Sequence, residues 1–196
     1  MLLSEFYDKP VVAAARACIG KVLVRRTEEG TTAGRIVECE AYQGPEDLAA
    51  HSSGGRRTKR TEAMFGPPGH AYMFLLYGMH WAFNIVVGQI GSPHAILIRA
   101  VEPTEGLDLM AERRKMDPSR RELTNGPGKL CAAFALTGAD YGRSLLSHAL
   151  HLEDGRAQAG IGRSARINVD YAGAWAQRPW RFYERGNRYV SVLPRE

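Results

Sequence analysis

The chain has 196 residues, 44% apolar and 24% charged, which is enough for one domain with its own core, and no apolar run reaches membrane-spanning length. Lys and Arg number 26 against 21 Asp and Glu, a net charge of +5 that suits a polyanionic partner without requiring one. Three scattered cysteines, Cys18, Cys39 and Cys131, with no C-x-x-C among them, argue against a zinc module or a disulfide framework and for a reducing compartment.

In chain order, Met1 leads straight into polar residues (Ser4, Glu5, Asp8) without a signal-peptide pattern, so the expected location is cytoplasmic or nuclear, not secreted. Asp8 and Pro10 open VVAAARACI and Gly20 closes it, which predicts a capped helix. KVLVRRT and GRIVECEAY read as strands split by the turn EEGTT. A polar loop rich in Gly, Ser and Arg follows over residues 43–60. HAYMFLLY and HWAFNIVV flank Gly78-Met79 and predict a β-hairpin, and AILIRAVEP reads as a further strand. Residues 104–115 and 127–136 are helical, the second capped by Asn125 and started by Pro127. The tail mixes a short helix around Ala174 with strands near Phe182 and Val190. Strands arrive in runs and do not alternate with helices, which predicts a single α+β domain over residues 1–196, with an antiparallel or mixed β-sheet core and surrounding helices.

Three stretches bear on chemistry. In GRIVECEAY, period-2 alternation puts Val37, Cys39 and Ala41 on a core face and Glu38, Glu40 and Tyr42 on the other. Two carboxylates and an aromatic on a rigid strand can form a catalytic constellation; the alternative is a solvated sheet face with incidental acids. The loop AAHSSGGRRTKR places Arg56, Arg57, Lys59 and Arg60 beside Gly54-Gly55, whose backbone N–H groups could approach a phosphate; a flexible solvated loop explains it equally. In the hairpin, Tyr72 and Phe74 share a strand face and could sandwich a planar base, although core filling is the simpler account of Tyr72. Tyr77 and Met79 flank Gly78 at the tip, where an apolar residue can wedge between base pairs. A basic loop, a tip wedge, stacking aromatics and a carboxylate on a strand are the parts needed to extrude a base and hydrolyse its glycosidic bond.

The blocks ECEAYQGPEDLAAHSSGGRRT, MFGPPGHAYMFLLYGMHWAFNIVV, AILIRAVEPTEG, NGPGKLCAAF and PWRFYERGNRYVSV, in this order and over nearly the whole chain, resemble the alkyladenine (3-methyladenine) DNA glycosylase family. The resemblance implies a fold like the C-terminal domain of methionyl-tRNA formyltransferase. It also implies a monofunctional enzyme that flips alkylated or deaminated purines out of duplex DNA and hydrolyses the N-glycosidic bond, as a monomer and without metal or other cofactor. By the same resemblance Glu40 activates the attacking water, Arg99 helps hold that water, and the backbone carbonyl of Ile167 contributes. Tyr42 and Phe74 become the pocket aromatics, His51 lines the pocket, and Asn84 checks the purine against guanine's amino group. Tyr77 enters the duplex where the base has left, with Met79 beside it at the DNA face, and Arg56 is left as a backbone contact from the basic loop. Some relatives have Tyr where this chain has Phe74, which keeps stacking and removes a hydroxyl.

Other readings compete. A non-catalytic nucleic-acid-binding domain of the same fold would need the loop charges and not Glu40. A small-nucleoside hydrolase using Glu38 and Glu40 would need neither wedge nor basic loop. A metal enzyme built on His148, His151 and Glu153 has the least support, because that segment reads as a polar surface stretch.

Overall fold

The computed structural model describes residues 1–193. Its strands are β1 (Val22–Thr27), β2 (Gly30–Gln43), β3 (Ala71–Leu76), β4 (His80–Val87), β5 (His94–Glu105), β6 (Leu150–Glu153), β7 (Ile161–Ser164) and β8 (Arg181–Glu184). All eight join one sheet through antiparallel pairings, in the order β3-β4-β5-β2-β1-β6, with β8 on β2 and β7 on β8. The helices are α1 (Val11–Cys18), α2 (Leu107–Arg114) and α3 (Pro127–Ala133), supplemented by 3-10 turns such as Asp170–Gln177. This is the α+β class expected, in its antiparallel form.

β2 organises the sheet. Thr27 pairs with Gly30 across a two-residue turn, Glu28-Glu29, so Thr31 and Thr32 belong to the strand and not to the expected turn. β2 is longer than β1, so its first half pairs with β1 and its second half, at Glu38, Cys39 and Glu40, with β8. Its other edge runs along β5, with irregular register between Ile36 and Glu38 and again between Glu38 and Cys39. A bulge of this kind slips the period-2 alternation. The core face consequently takes Ile36, Cys39 and Ala41, and Ile36 replaces the expected Val37 there, while Val37 is buried elsewhere.

The core lies on that face. Ile36, Cys39, Phe83, Ile85, Ile96 and Ile98 of the sheet pack with Val11, Ala14, Ala15 and Cys18 of α1 and with Leu130, Cys131 and Ala133 of α3. Small residues on α1 let it sit close enough for the Cys39 thiol to donate to the Ala15 carbonyl at 3.1 Å. All three cysteines are free and buried. The opposite sheet face carries the residues between these: Glu40 and Tyr42 on β2, Tyr72 and Phe74 on β3, Asn84 on β4, Leu97 and Arg99 on β5.

Other local expectations fail as well. The helix expected over residues 104–115 is α2 from Leu107, because β5 runs on to Glu105 and Gly106 turns the chain at φ 74°. Pro10, not Asp8, occupies the position before α1, and no side chain caps that end. Gly126 precedes Pro127, and Asn125 instead accepts from Lys129 Nζ at 2.8 Å. α3 ends at Ala133, where the expected helix ran on to residue 136, because Ala135 turns to φ 49°. The segment near Val190 is a turn, not a strand, and its amides are drawn to other partners: Tyr189 N–H to Asn187 Oδ1 and Ser191 N–H to Glu38. Among the described residues no helix is long and apolar enough to cross a membrane.

Candidate active site

Glu40 is fully buried at the centre of the sheet's second face, where β2 is flanked by β5 and β8. Its Oε1 accepts the amide N–H of Ile167 at 2.8 Å and lies 3.4 Å from Arg99 Nη1, and its Oε2 accepts the Tyr42 hydroxyl at 2.8 Å. Three groups from three segments thus orient one carboxylate. A carboxylate offers about four lone-pair sites, so Oε2 retains capacity for one more donor. Burial and then the Glu40 charge push the Tyr42 phenol well above its usual range, so Tyr42 serves Glu40 only as a donor.

Arg99 is held from behind by Glu38, which is also fully buried; Arg99 Nε donates to Glu38 Oε1 at 2.9 Å. The same oxygen takes Arg181 Nε at 2.7 Å and the Ser191 hydroxyl at 2.9 Å, while Oε2 takes the Ser191 amide at 2.6 Å. Burial disfavours the charge on Arg99, but Glu40 and Glu38 outweigh it and raise its pKa. Glu38 and Glu40 are therefore not an equivalent acidic pair. Glu38 is saturated by structural partners, and Glu40 adjoins the cavity through Tyr42, Arg99 and Ile167.

That cavity has a volume of about 320 Å³, at the small end of the range for small-molecule sites. Tyr42, His51, Phe74, Asn84, Arg99 and Ile167 all border it, Ile167 reaching Glu40 through its amide and not the expected carbonyl, and Tyr77 stands at its rim. The Tyr42 ring is backed by the Arg166 guanidinium at 4.7 Å, which is paired in a fully buried position with Asp47 and also donates to the Ala41 carbonyl at 2.9 Å. Asn84 pairs across the hairpin with Tyr72 and donates from Nδ2 to its carbonyl at 3.0 Å, which fixes the side chain. His51 packs edge-on against Phe74, with ring centroids 4.5 Å apart.

Two stacking expectations separate here. Tyr72 and Phe74 rings lie 5.7 Å apart and tilted by 33°, too close for a planar base between them, since each stacked face needs about 3.5 Å. Tyr72 is buried wall, and Phe74 with Tyr42 supplies the cavity's aromatic surfaces. At the hairpin tip, Leu76 pairs with His80 and leaves Tyr77, Gly78 and Met79 as the turn. Tyr77 is 79% exposed and Met79 73%, with Tyr77 at φ 52° and Gly78 at φ 71°.

The basic loop also divides. Gly54 and Gly55 take left-handed φ values of 67° and 75°, but their amides donate inside the loop, to Pro45 and Ser52 carbonyls, so the expected backbone approach to a phosphate is not available. Arg57 is bound by Glu62 at 2.6 Å, and Arg60, though exposed, donates to His51 Nε2 at 3.1 Å. Arg56 is exposed and makes no ion pair among the described residues; it borders a second hollow of about 270 Å³ with Ser53, Thr58 and Tyr171. Tyr171, which lines both hollows, was not anticipated, nor were Asp47, Arg166 or Ser191. His151 is engaged by Glu153 at 3.1 Å, and among the described residues no three His, Cys, Asp or Glu side chains converge to hold a metal ion.

The methylpurine-DNA glycosylase family model matches residues 5–188. A Bacillus licheniformis protein named "Putative 3-methyladenine DNA glycosylase" is 48% identical over 187 residues, covering 95% of this chain and 94% of its own. Proteins of the same name from Bacillus cereus and Clostridium acetobutylicum are 45% and 42% identical, covering 95% and 100% of this chain and 97% and 99% of their own.

Proposed function

The chain belongs to the methylpurine-DNA glycosylase family and is a DNA glycosylase, and from that premise we propose that it flips alkylated or deaminated purines out of duplex DNA, as a single-domain monomer, and hydrolyses their N-glycosidic bond with Glu40 as the general base. The observation that carries this reading is the Glu40 carboxylate, buried, oriented by Tyr42, Arg99 and Ile167, and set against a cavity with aromatic walls.

In this mechanism Glu40 Oε2 accepts a proton from water. The water oxygen attacks the sugar's anomeric carbon while the carbon–nitrogen bond to the base breaks, and the base leaves with the electron pair. Alkylation at N3 or N7 makes the purine cationic, so it departs without a proton from the protein; a deaminated purine needs one. Arg99 stands 3.4 Å from Glu40 and is anchored by Glu38, so its position does not depend on substrate. Among the described residues no lysine borders the cavity, which fits water as nucleophile and product release without strand cleavage.

The test is incubation of the protein with duplexes bearing 3-methyladenine, 7-methylguanine, hypoxanthine or ethenoadenine, followed by detection of free base. Release of a free base is expected. Binding to such duplexes without release favours the non-catalytic nucleic-acid-binding reading, and release from free nucleosides but not from DNA favours the small-nucleoside hydrolase.

A further inference from the structure

Arg60 belongs by sequence to the basic loop and is exposed, yet its guanidinium lies over the Phe74 ring, 5.4 Å from the centroid, and its Nη2 lies 3.1 Å from His51 Nε2. His51 Nδ1 lies 2.8 Å from the Tyr72 hydroxyl oxygen. A guanidinium can only donate, so His51 Nε2 must be the acceptor. Burial, then the charges of Arg60 and Arg56, push the imidazole down to about 4, so near neutral pH it carries one N–H. That N–H is therefore on Nδ1 and is donated to Tyr72. The Tyr72 oxygen is thereby used as an acceptor. Burial holds its phenol up at about 12, so the hydroxyl keeps its own proton, for which no described residue provides an acceptor. Tyr72 borders the cavity.

The geometry points to Arg60 as a positioning residue that locks His51 in the Nδ1–H tautomer and so makes the Tyr72 hydroxyl a hydrogen-bond donor to the bound base, favouring a purine edge that presents an oxygen or ring-nitrogen lone pair. The consequence for the base rests on the reading of the cavity as a base pocket. The tautomer does not.

Imidazole alone favours the Nε2–H form, so the Nδ1–H form reports the outside influence. The experiment reads the His51 ring nitrogens by long-range ¹H–¹⁵N correlation at pH 7 in wild type, Arg60→Ala and Arg60→Lys, the signal being identified by its loss in His51→Asn. Wild type is expected as Nδ1–H, Arg60→Ala as shifted toward Nε2–H, and Arg60→Lys, which still donates, as wild type. In parallel, single-turnover release of hypoxanthine at saturating enzyme should fall about two- to tenfold in Tyr72→Phe and in Arg60→Ala, the scale of one neutral hydrogen bond. The double variant should fall no further than the weaker single one. An Nε2–H wild type, an unchanged tautomer in Arg60→Ala, or losses that multiply in the double variant would each overturn the assignment. A wild type that releases no base removes the glycosylase reading alone, and the ring-nitrogen measurement still decides the role of Arg60.

Discussion

The amide N–H of Ile167 donates to Glu40 Oε1 at 2.8 Å, joining residues 127 positions apart and tying the proposed general base to a loop beyond β7. With Tyr42 on the other oxygen, the carboxylate has one orientation. Glu40→Gln keeps the size of the side chain and removes the proton acceptor. Excision should fall at least about a hundredfold, the scale of a positioned general base, while binding to lesion duplex persists. Single-turnover rates with gel-shift affinities check this; near-normal turnover would remove Glu40 from the chemistry.

Glu38 neutralises Arg99 and Arg181 in a buried setting. Glu38→Ala leaves two cations without their shared partner, and such a loss costs about 3–5 kcal/mol of stability. Urea denaturation should register it as a lower midpoint. A cost below about 1 kcal/mol would mean that water replaces the carboxylate and that the cluster is not closed.

Asn84 is held by the Tyr72 carbonyl with its side chain at the cavity wall. Guanine differs from hypoxanthine by the amino group at C2, which a fixed side chain rejects by collision. Asn84→Ser should raise release of guanine or 7-methylguanine relative to hypoxanthine. Competition assays on matched duplexes report the ratio, and an unchanged ratio assigns discrimination to another wall.

Arg56 is the loop arginine without an internal partner among the described residues. Affinity for duplex should fall with salt at a log–log slope of about −0.9 per phosphate neutralised. Arg56→Ala should make that slope shallower by roughly one unit on damaged and undamaged DNA alike. Arg57→Ala, which mainly breaks the Glu62 pair, should change the slope less. Titrations across a salt series separate the two, and equal slopes for wild type and Arg56→Ala would place Arg56 off the DNA.

Tyr77 projects from the hairpin tip at the rim of the cavity. In duplex DNA its ring can refill the gap left by an extruded nucleotide, recovering about 1–3 kcal/mol of stacking. A single strand has no closed stack to restore. Tyr77→Ala should therefore slow hypoxanthine excision from duplex far more than from the same sequence single-stranded, and Tyr77→Phe should be mild on both. Equal losses on the two substrates would make Tyr77 a pocket residue and not a wedge.

The sequence exposes what depends on local periodicity. Alternation in GRIVECEAY assigns Glu40 and Tyr42 to one face, and the Tyr77-Gly78-Met79 tip follows from two apolar runs around a glycine. The contacts that orient the Glu40 carboxylate are not all local. Ile167, Arg181 and Ser191 reach the acidic strand from the far end of the chain through an amide, a guanidinium and a hydroxyl, none of which follows any period. The Gly54-Gly55 pair misleads for a related reason. Glycines announce unusual φ values, but whether their amides are free depends on carbonyls elsewhere, here those of Pro45 and Ser52. The Ile36–Glu38 bulge is equally silent, since it comes from fitting β2 to β5.

The cysteines have a bearing on how the protein survives its own working conditions. The agents that methylate purines are electrophiles, and the most reactive protein target for an electrophile is a thiolate. Cys18 is closed off and pushed up to about 12, chiefly by burial; burial likewise raises Cys39 far above its usual range, and its thiol is spent on the Ala15 carbonyl. Cys131 is raised for the same reason on α3. Each thiol is neutral and shielded in the folded state, so the chemistry that creates damaged bases finds no cysteine thiolate on the protein while it stays folded, and cysteine alkylation becomes a marker of unfolding.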